Sequence, residues 1–337
     1  EELYAHLANK FQGKKIETPF TKIKYEDAIN LYGTDKPDTR FDLIIKKLDE
    51  ELSGTEFNVF NNALNDDGTI RGFSIPKNEM MTRKFYDKLN DFVRSSGGAG
   101  IIPITIEKDL DEIDFKDIKS PISKFLKVED VKKIFNIFNS DSNDVILICA
   151  GKKNIVLDCL GQVRIKLAKD FELIDEEKLN FLFVTDFPLF EKDLDSGKWT
   201  AMHHVFSSPN NETSKFLDND PGKVIGNLFD LVCNGVELGS GSIRIHDKKT
   251  QEKVFSIIGY NDDQVRERFG PLLESFDYGA PPHGGMGLGI DRLVATFLKE
   301  NSIRDVISFP KTQSASDLLW GAPSNIDEEQ KKDLKIK

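Results

Sequence analysis

The chain has 337 residues, enough for about two domains, and its 39% hydrophobic and 31% charged content excludes disordered and fibrous classes. With 46 Lys and Arg against 57 Asp and Glu, the formal charge of −11 excludes a generic polyanion binder but leaves room for a local basic patch. Three cysteines without CxxC spacing (Cys149, Cys159, Cys233) exclude a disulfide framework and a four-cysteine zinc site, and no apolar run reaches the roughly 18 residues of a membrane span. A two-domain cytosolic protein is the expectation, with no membrane partner. The first residue is not Met, so the N-terminus reads as cut or processed.

In chain order, residues 1–13 predict an amphipathic helix, and Thr21 or Lys22 leads into a short helix ending near Gly33. Pro37 and its acidic neighbours make residues 34–40 a turn. Residues 41–165 alternate strand and helix patterns. Phe57–Phe60, Gly72–Ile75, Ile101–Ile106 and Val145–Ala150 read as strands, with Pro103 favouring an edge position. Thr82 is a candidate N-cap for a helix carrying Phe85, Leu89, Phe92 and Val93 on one face, and residues 128–138 form another helical stripe. This α/β unit of about 110 residues shows core-forming faces and no catalytic cluster. Beyond it, Phe181–Phe187 reads as a strand. Lys223–Asn234 reads as a helix, with Val224, Leu228, Leu231 and Val232 on one side and Gly235 closing it. GVELGSGSIRIHD reads as a glycine-interrupted strand, Gln264–Phe276 as a helix, and GAPPHGGMGLGIDRLVATFL as a loop and strand entering a helix. KTQSASDLLWGAPSN is loop-like.

Three segments carry candidate chemistry. Gly285, Gly287 and Gly289 alternate with Met286, Leu288 and Ile290, so a strand there has one apolar face and one bare face. A flat ligand can lie on a bare face, and Arg292 just beyond suits a purine or a phosphate. A close strand–helix crossing explains the glycines equally well. Glu237 and Arg244 bracket a glycine–serine stretch spanning roughly 23 Å when extended. One end suits a metal–phosphate group and the other a substrate carboxylate. Strict alternation puts them on opposite faces, so a shared site requires a bulge at Gly239 or Gly241; otherwise this is a surface strand with a solvated arginine. In the His203-His204 pair at most one ring of a strand faces a given site. No acidic or thiol ligand stands at metal spacing, so a polar substrate contact or a buried hydrogen-bonded histidine is favoured over zinc. No P-loop, no GxGxxG opening a helix and no GxSxG elbow is present, so a nucleotide site here must be antiparallel and arginine-based.

YGTDKPDTRF, FVTDFPLFE, TAMHHVFSSP, ELGSGSIRIHD, GAPPHGGMGLGIDRLVA and IRDVISFPKTQSASDLLWGAPS resemble, in order, the bacterial-type aspartyl-tRNA synthetases of class II; the GAPPHGGMGLGIDRL stretch is similar to their motif 3. The resemblance runs from near residue 1 to about residue 330. It implies an α+β fold, a class II antiparallel sheet flanked by helices and incomplete here. Residues 1–44 and 161–337 would belong to the catalytic domain, and residues 45–160 to an inserted α/β GAD domain. It implies activation of L-aspartate by ATP and transfer of the aspartyl group to tRNA(Asp), with tRNA(Asn) left open. Arg244 would bind the aspartate side-chain carboxylate, His203 would line the amino-acid pocket, and Glu237 would belong to the ATP–Mg2+ site. Gly289, Ile290, Asp291 and Arg292 would contact ATP. Arg244, Arg292 and Glu237 are thus the candidate catalytic residues, in a reaction of positioning and electrostatics without a side-chain nucleophile.

Val205 stands where the family usually has Pro, and Ser240 where glycine is common. The resemblance also places the anticodon-binding barrel and motifs 1 and 2 outside these residues. That implies the C-terminal portion of a longer, homodimeric synthetase, inactive by itself, and cytoplasmic unless the source is an organelle. A non-catalytic synthetase paralogue or tRNA-binding module is the competing reading. An amidotransferase subunit would share the inserted domain alone and leave motif 3 unexplained.

Overall fold

The computed structural model describes residues 1–193 and 195–336. They divide into two units, residues 1–288 and 289–337, each described by itself.

The larger unit contains, in chain order, α1 (Glu2–Gln12), β1 (Thr21–Lys24), α2 (Tyr25–Tyr32), β2 (Lys46–Lys47), α3 (Asp49–Leu52), α4 (Asn58–Asn65), β3 (Thr69–Pro76), α5 (Arg83–Ser95), β4 (Ile102–Ile106), β5 (Ile118–Lys119), α6 (Val128–Phe138), β6 (Asp144–Gly151) and α7 (Lys153–Asp170). It continues with β7 (Phe181–Thr185), β8 (Phe190–Lys192), β9 (Trp199–Ala201), β10 (Leu228–Cys233), β11 (Val236–Ile243), α8 (Lys248–Ile257), α9 (Asp262–Asp277) and β12 (Gly284–Leu288). Two five-stranded sheets result. The first has the order β1-β7-β10-β11-β12, antiparallel except for the parallel β1–β7 pair. The second, antiparallel throughout, has the order β2-β3-β6-β4-β5. This is the expected α+β architecture.

The second sheet explains the apolar run at 145–150. Val145, Leu147 and Cys149 of β6 face a core with Leu89 and Val93 of α5 and Leu157, Leu160 and Val163 of α7. Ile146, Ile148 and Ala150 face the opposite core, with Phe60 of α4 and Val131, Ile134 and Phe135 of α6. A strand buried on both faces has no polar side to alternate with. The Thr82 cap forms, its side chain accepting from the Phe85 N–H at 3.4 Å. Pro103 pairs with Leu147 on one side, and the β5 pairing covers only Thr105 and Ile106, so β4 is an edge at Pro103. Residue 160, the expected end of the insertion, lies inside α7, which packs on β3 and β6 and also crosses α2. That crossing is close: a Cβ on Gly161 would sit 2.9 Å from the Tyr32 and Gly33 carbonyl oxygens.

Two expected elements are corrected. Residues 58–65 form α4 rather than a strand at Phe57–Phe60. Phe60 and Ala63, three apart, are the buried positions, and a β-prone FNVF start is overruled by burial at helical spacing. The helix expected over Lys223–Asn234 is β10 preceded by a short turn at Pro221–Lys223. Val224, Leu228, Leu231 and Val232 mimic a helical stripe, but the run is short and buried on both faces. Asn234 (φ 53°) and Gly235 (φ 81°) then close a two-residue hairpin into β11, the turn chemistry that Asn-Gly favours.

The smaller unit contains α10 (Ile290–Leu298) and α11 (Glu328–Asp333). Residues 311–325 are irregular, as expected. A capping box at Asp327 and Gln330 starts α11, which the sequence reading did not identify.

Candidate active site

The first sheet gathers polar side chains on one face. Asp230 of β10 lies opposite Ser240 of β11, and Leu228 opposite Ser242. Past that point the register shifts: Leu231 pairs with Gly239 but Val232 pairs with Glu237, leaving Leu238 as the extra residue. This bulge turns Glu237 onto the face of Asp230, Ser240 and Ser242, on which Arg244 follows by alternation. The shift stands beside Gly239, one of the two positions where a shared Glu237–Arg244 site required it. A Cβ on Gly239 would lie 2.6 Å from the Gly287 carbonyl oxygen, so only glycine fits there without displacing backbone.

The bare glycine face is on the same side. Ser240 pairs with Gly287 and Ser242 with Gly285, whereas Met286 and Leu288 point to the other face. Nothing lies within 4 Å of a Cβ built on Gly285. An open backbone strip therefore borders the serines.

Arg244 is half-buried and held from one edge. Its Nη1 donates to the Phe206 and Ile245 carbonyl oxygens, each at 3.0 Å, and to Gln251 Oε1 at 2.7 Å. The guanidinium lies 4.5 Å from the Phe206 ring centroid. Gln251, fully buried on α8, is itself fixed by donating to the Val205 carbonyl at 2.8 Å. Burial lowers the Arg244 pKa, but an arginine stays charged at neutral pH. Among the described residues its acceptors all sit at Nη1, so the rest of the planar fork can take a carboxylate.

Both histidines reach this face, which corrects the expectation that at most one could. They lie in a bend after β9, not in a strand, so alternation does not separate them. His203 Nε2 is 3.8 Å from Asp230 Oδ2, and its ring packs on Phe187 at 4.8 Å. His204 Nδ1 accepts the Phe206 N–H at 3.2 Å, leaving Nε2 3.3 Å from Ser207 Oγ and 3.5 Å from Ser242 Oγ. Burial, then the charges of His203 and Arg244, lower the His204 pKa below 6.5. His204 is therefore neutral at pH 7, with its proton on Nε2. Its proton resonances are expected to titrate with an NMR midpoint under 6.5; a midpoint above 6.5 contradicts this environment.

Asp230 was missed by the sequence reading. It is 1% exposed, and neither carboxylate oxygen has a hydrogen-bond partner among the described residues. Burial raises its pKa, with Ser240 and His203 opposing and Glu237 adding to the rise. The signal was a lone acid in an apolar strand, hidden by the helical reading of residues 223–234. Lys36 was left in a turn. Its Nζ is 2.9 Å from Asp35 Oδ2 and 3.5 Å from Glu237 Oε2, so residues 34–40 also border the site. Gly289 caps α10 in the smaller unit, and Ile290, Asp291 and Arg292 form that helix's first turn.

One sheet face thus brings together a glycine-lined edge, an arginine fork and two carboxylates. Residues 1–313 match the family described as tRNA synthetases class II (D, K and N), and the chain belongs to that family. Its similarity within the family is to aspartate–tRNA ligases. It is 41% identical over 337 residues to the aspartate–tRNA(Asp/Asn) ligase of Thermoanaerobacter sp. (strain X514). It is 40% identical over 339 residues to the aspartate–tRNA ligase of Staphylococcus saprophyticus. Each comparison covers 100% of this chain and 56% of the relative, so the chain spans little more than half the length of these relatives. Among solved structures, the aspartyl tRNA synthetase from Entamoeba histolytica aligns over 47% of this chain and 27% of its own, at 25% identity and a TM-score of 0.33.

Proposed function

We propose that this segment supplies part of an aspartate-activating site: ATP and L-aspartate form aspartyl-adenylate and pyrophosphate, and the intact protein transfers the aspartyl group to tRNA. The carrying observation is the single sheet face on which the bulge at Leu238 unites Glu237 and Asp230 with Ser240, Ser242 and Arg244. Arg244 receives the aspartate side-chain carboxylate on its unoccupied edge, and His203 lines the same pocket. The glycine strip of β12 accepts the flat adenine. Gly289, Ile290, Asp291 and Arg292 contact the nucleotide by resemblance to motif 3. An α-carboxylate oxygen of aspartate attacks the α-phosphorus. A new C–O–P linkage forms as the α–β phosphoanhydride bond breaks, and pyrophosphate leaves. This chain's residues bind, orient and balance charge in that step.

The family implies a divalent cation with ATP. The two buried oxygens of Asp230, without a hydrogen-bond partner among the described residues and close to Glu237, fit a Mg2+ ion held by two carboxylates and completed by phosphate oxygens. Such an ion would neutralise phosphate charge. Relatives carrying the names aspartate–tRNA ligase and aspartate–tRNA(Asp/Asn) ligase support tRNA(Asp) as the acceptor and keep tRNA(Asn) beside it. The family resemblance supports a homodimer. The bacterial sources of the relatives support a cytoplasmic location; among the described residues no helix is long and apolar enough to cross a membrane.

The test is aspartate-dependent ATP–pyrophosphate exchange by the intact gene product. Exchange with aspartate, lost in Glu237→Gln, is the expected result. Exchange driven by asparagine or lysine instead, or none from a folded protein, overturns the reading.

A further inference from the structure

The α7 helix carries a side chain that the site description leaves unused. Arg164 is fully buried. Its Nε donates to the Leu43 carbonyl at 3.0 Å, and Nη2 donates to the carbonyls of Asp38 at 2.7 Å and Phe41 at 3.1 Å. The guanidinium is stacked 4.1 Å from the Phe41 ring centroid and 4.9 Å from that of Tyr32. Nη1 has no hydrogen-bond partner among the described residues. Burial pulls its pKa down to about 10, so it is still a cation at neutral pH.

A buried charge is an expensive way to fill a core, because apolar residues of like volume hold a helix against a sheet as well or better. What a guanidinium adds is direction. Three carbonyls of one loop converge on it, and the loop adopts a shape it would not choose alone: Leu43 has φ 67°, a region leucine rarely enters. The same loop carries Asp35 and Lys36. Pro37 locks the backbone between Lys36 and the clamped Asp38. On its far side the loop packs against the β10–β11 hairpin, where a Cβ on Gly235 would sit 3.3 Å from Asp38 Cβ. Two residues past Gly235 stands Glu237, the partner of Lys36.

We infer that Arg164 is a positioning residue: by gripping the Asp38, Phe41 and Leu43 carbonyls from α7, it sets Lys36 against Glu237 and so couples α7, the helix packed on β3 and β6, to the candidate site. The Gly33–Gly161 crossing gives α7 a second fixed point on the same segment, just before the loop begins. The consequence for the site rests on the adenylation reading; the consequence for the loop does not.

The experiment uses Arg164→Lys in the intact gene product, which keeps the charge and loses the fork. Hydrogen exchange is followed at residues 36–43 and at the β6 residues 145–150, and KM and kcat are measured for ATP and for aspartate in pyrophosphate exchange. The expected result is about tenfold faster exchange in the loop with β6 unchanged. KM for ATP rises about tenfold while KM for aspartate stays within about twofold. Should Arg164→Lys fail to fold, Phe41→Leu removes the stacking face, keeps every carbonyl and gives the same contrast. A folded variant with wild-type loop exchange overturns the inference, as does one in which loop and β6 loosen equally or both KM values rise together. If the wild-type protein turns over no ATP, the adenylation reading falls, and the exchange contrast alone decides whether Arg164 holds the loop.

Discussion

Arg244→Lys is expected to lower kcat/KM for aspartate in pyrophosphate exchange by about 10²–10⁴-fold, leaving the melting temperature within a few degrees. Arg244 meets three acceptors with one nitrogen and stacks on Phe206. Its planar fork can satisfy these and still present two parallel N–H groups to a carboxylate. A lysine ammonium has three donors on one atom and cannot face both ways. Losing two charge-assisted hydrogen bonds, each worth about 1.5–3 kcal/mol, gives the stated range. KM for ATP should change little. Gln251→Leu removes the acceptor that aims Arg244 and is expected to act in the same direction more weakly, because the Phe206 and Ile245 carbonyls remain. Near-wild-type aspartate kinetics in Arg244→Lys would remove Arg244 from the proposed amino-acid pocket.

Asp230→Asn is expected to make the protein more stable and the site worse. A carboxyl with a pKa raised above the ordinary 3.8 binds its proton more tightly when folded than when unfolded. Its contribution to stability is therefore fully present below pH 3.8 and is lost as pH rises through the raised value. Above that value the carboxylate is buried with His203 Nε2 3.8 Å away and no hydrogen-bond partner among the described residues, and Asn, which carries no charge, relieves about 1–2 kcal/mol of that burden. Urea denaturation between pH 4 and pH 8 should show a flatter pH dependence in the variant and a higher midpoint at pH 7. The apparent Mg2+ requirement for pyrophosphate exchange should rise by about 100-fold. A variant less stable than wild type at pH 7 contradicts a costly burial of the Asp230 charge. An unchanged Mg2+ requirement removes Asp230 from the proposed ion site.

Much of this was legible in the residues. The period-two glycines of 285–289, the Thr82 cap and the doubly buried strand at 145–150 are local patterns, and local patterns survive folding when burial agrees with them. The family was legible for a different reason: its motifs are long and ordered, and they run through the whole chain. The opposition of Glu237 and Arg244 across a regular strand was also legible, as was the need for a bulge or bend at Gly239 or Gly241, between which the residues did not choose. The failures came where two local readings were equally spaced. Residues 224–232 fit a helical stripe and a buried strand alike, and choosing the helix concealed Asp230.

By itself, then, the sequence determined the α+β class, the family, the bare glycine edge and the identity of Glu237, Arg244 and the first-turn residues of α10 as candidates. Only the tertiary structure decided which side chains share a face. A one-residue register shift at Leu238 moves Glu237 from one side of the sheet to the other, and no composition or periodicity records it. Likewise, both histidines reach the site because they leave β9 in a bend, and Arg164 finds its carbonyls more than a hundred residues away in sequence. Hydrogen bonds and burial of that range depend on where distant segments come to rest, and that is settled by packing.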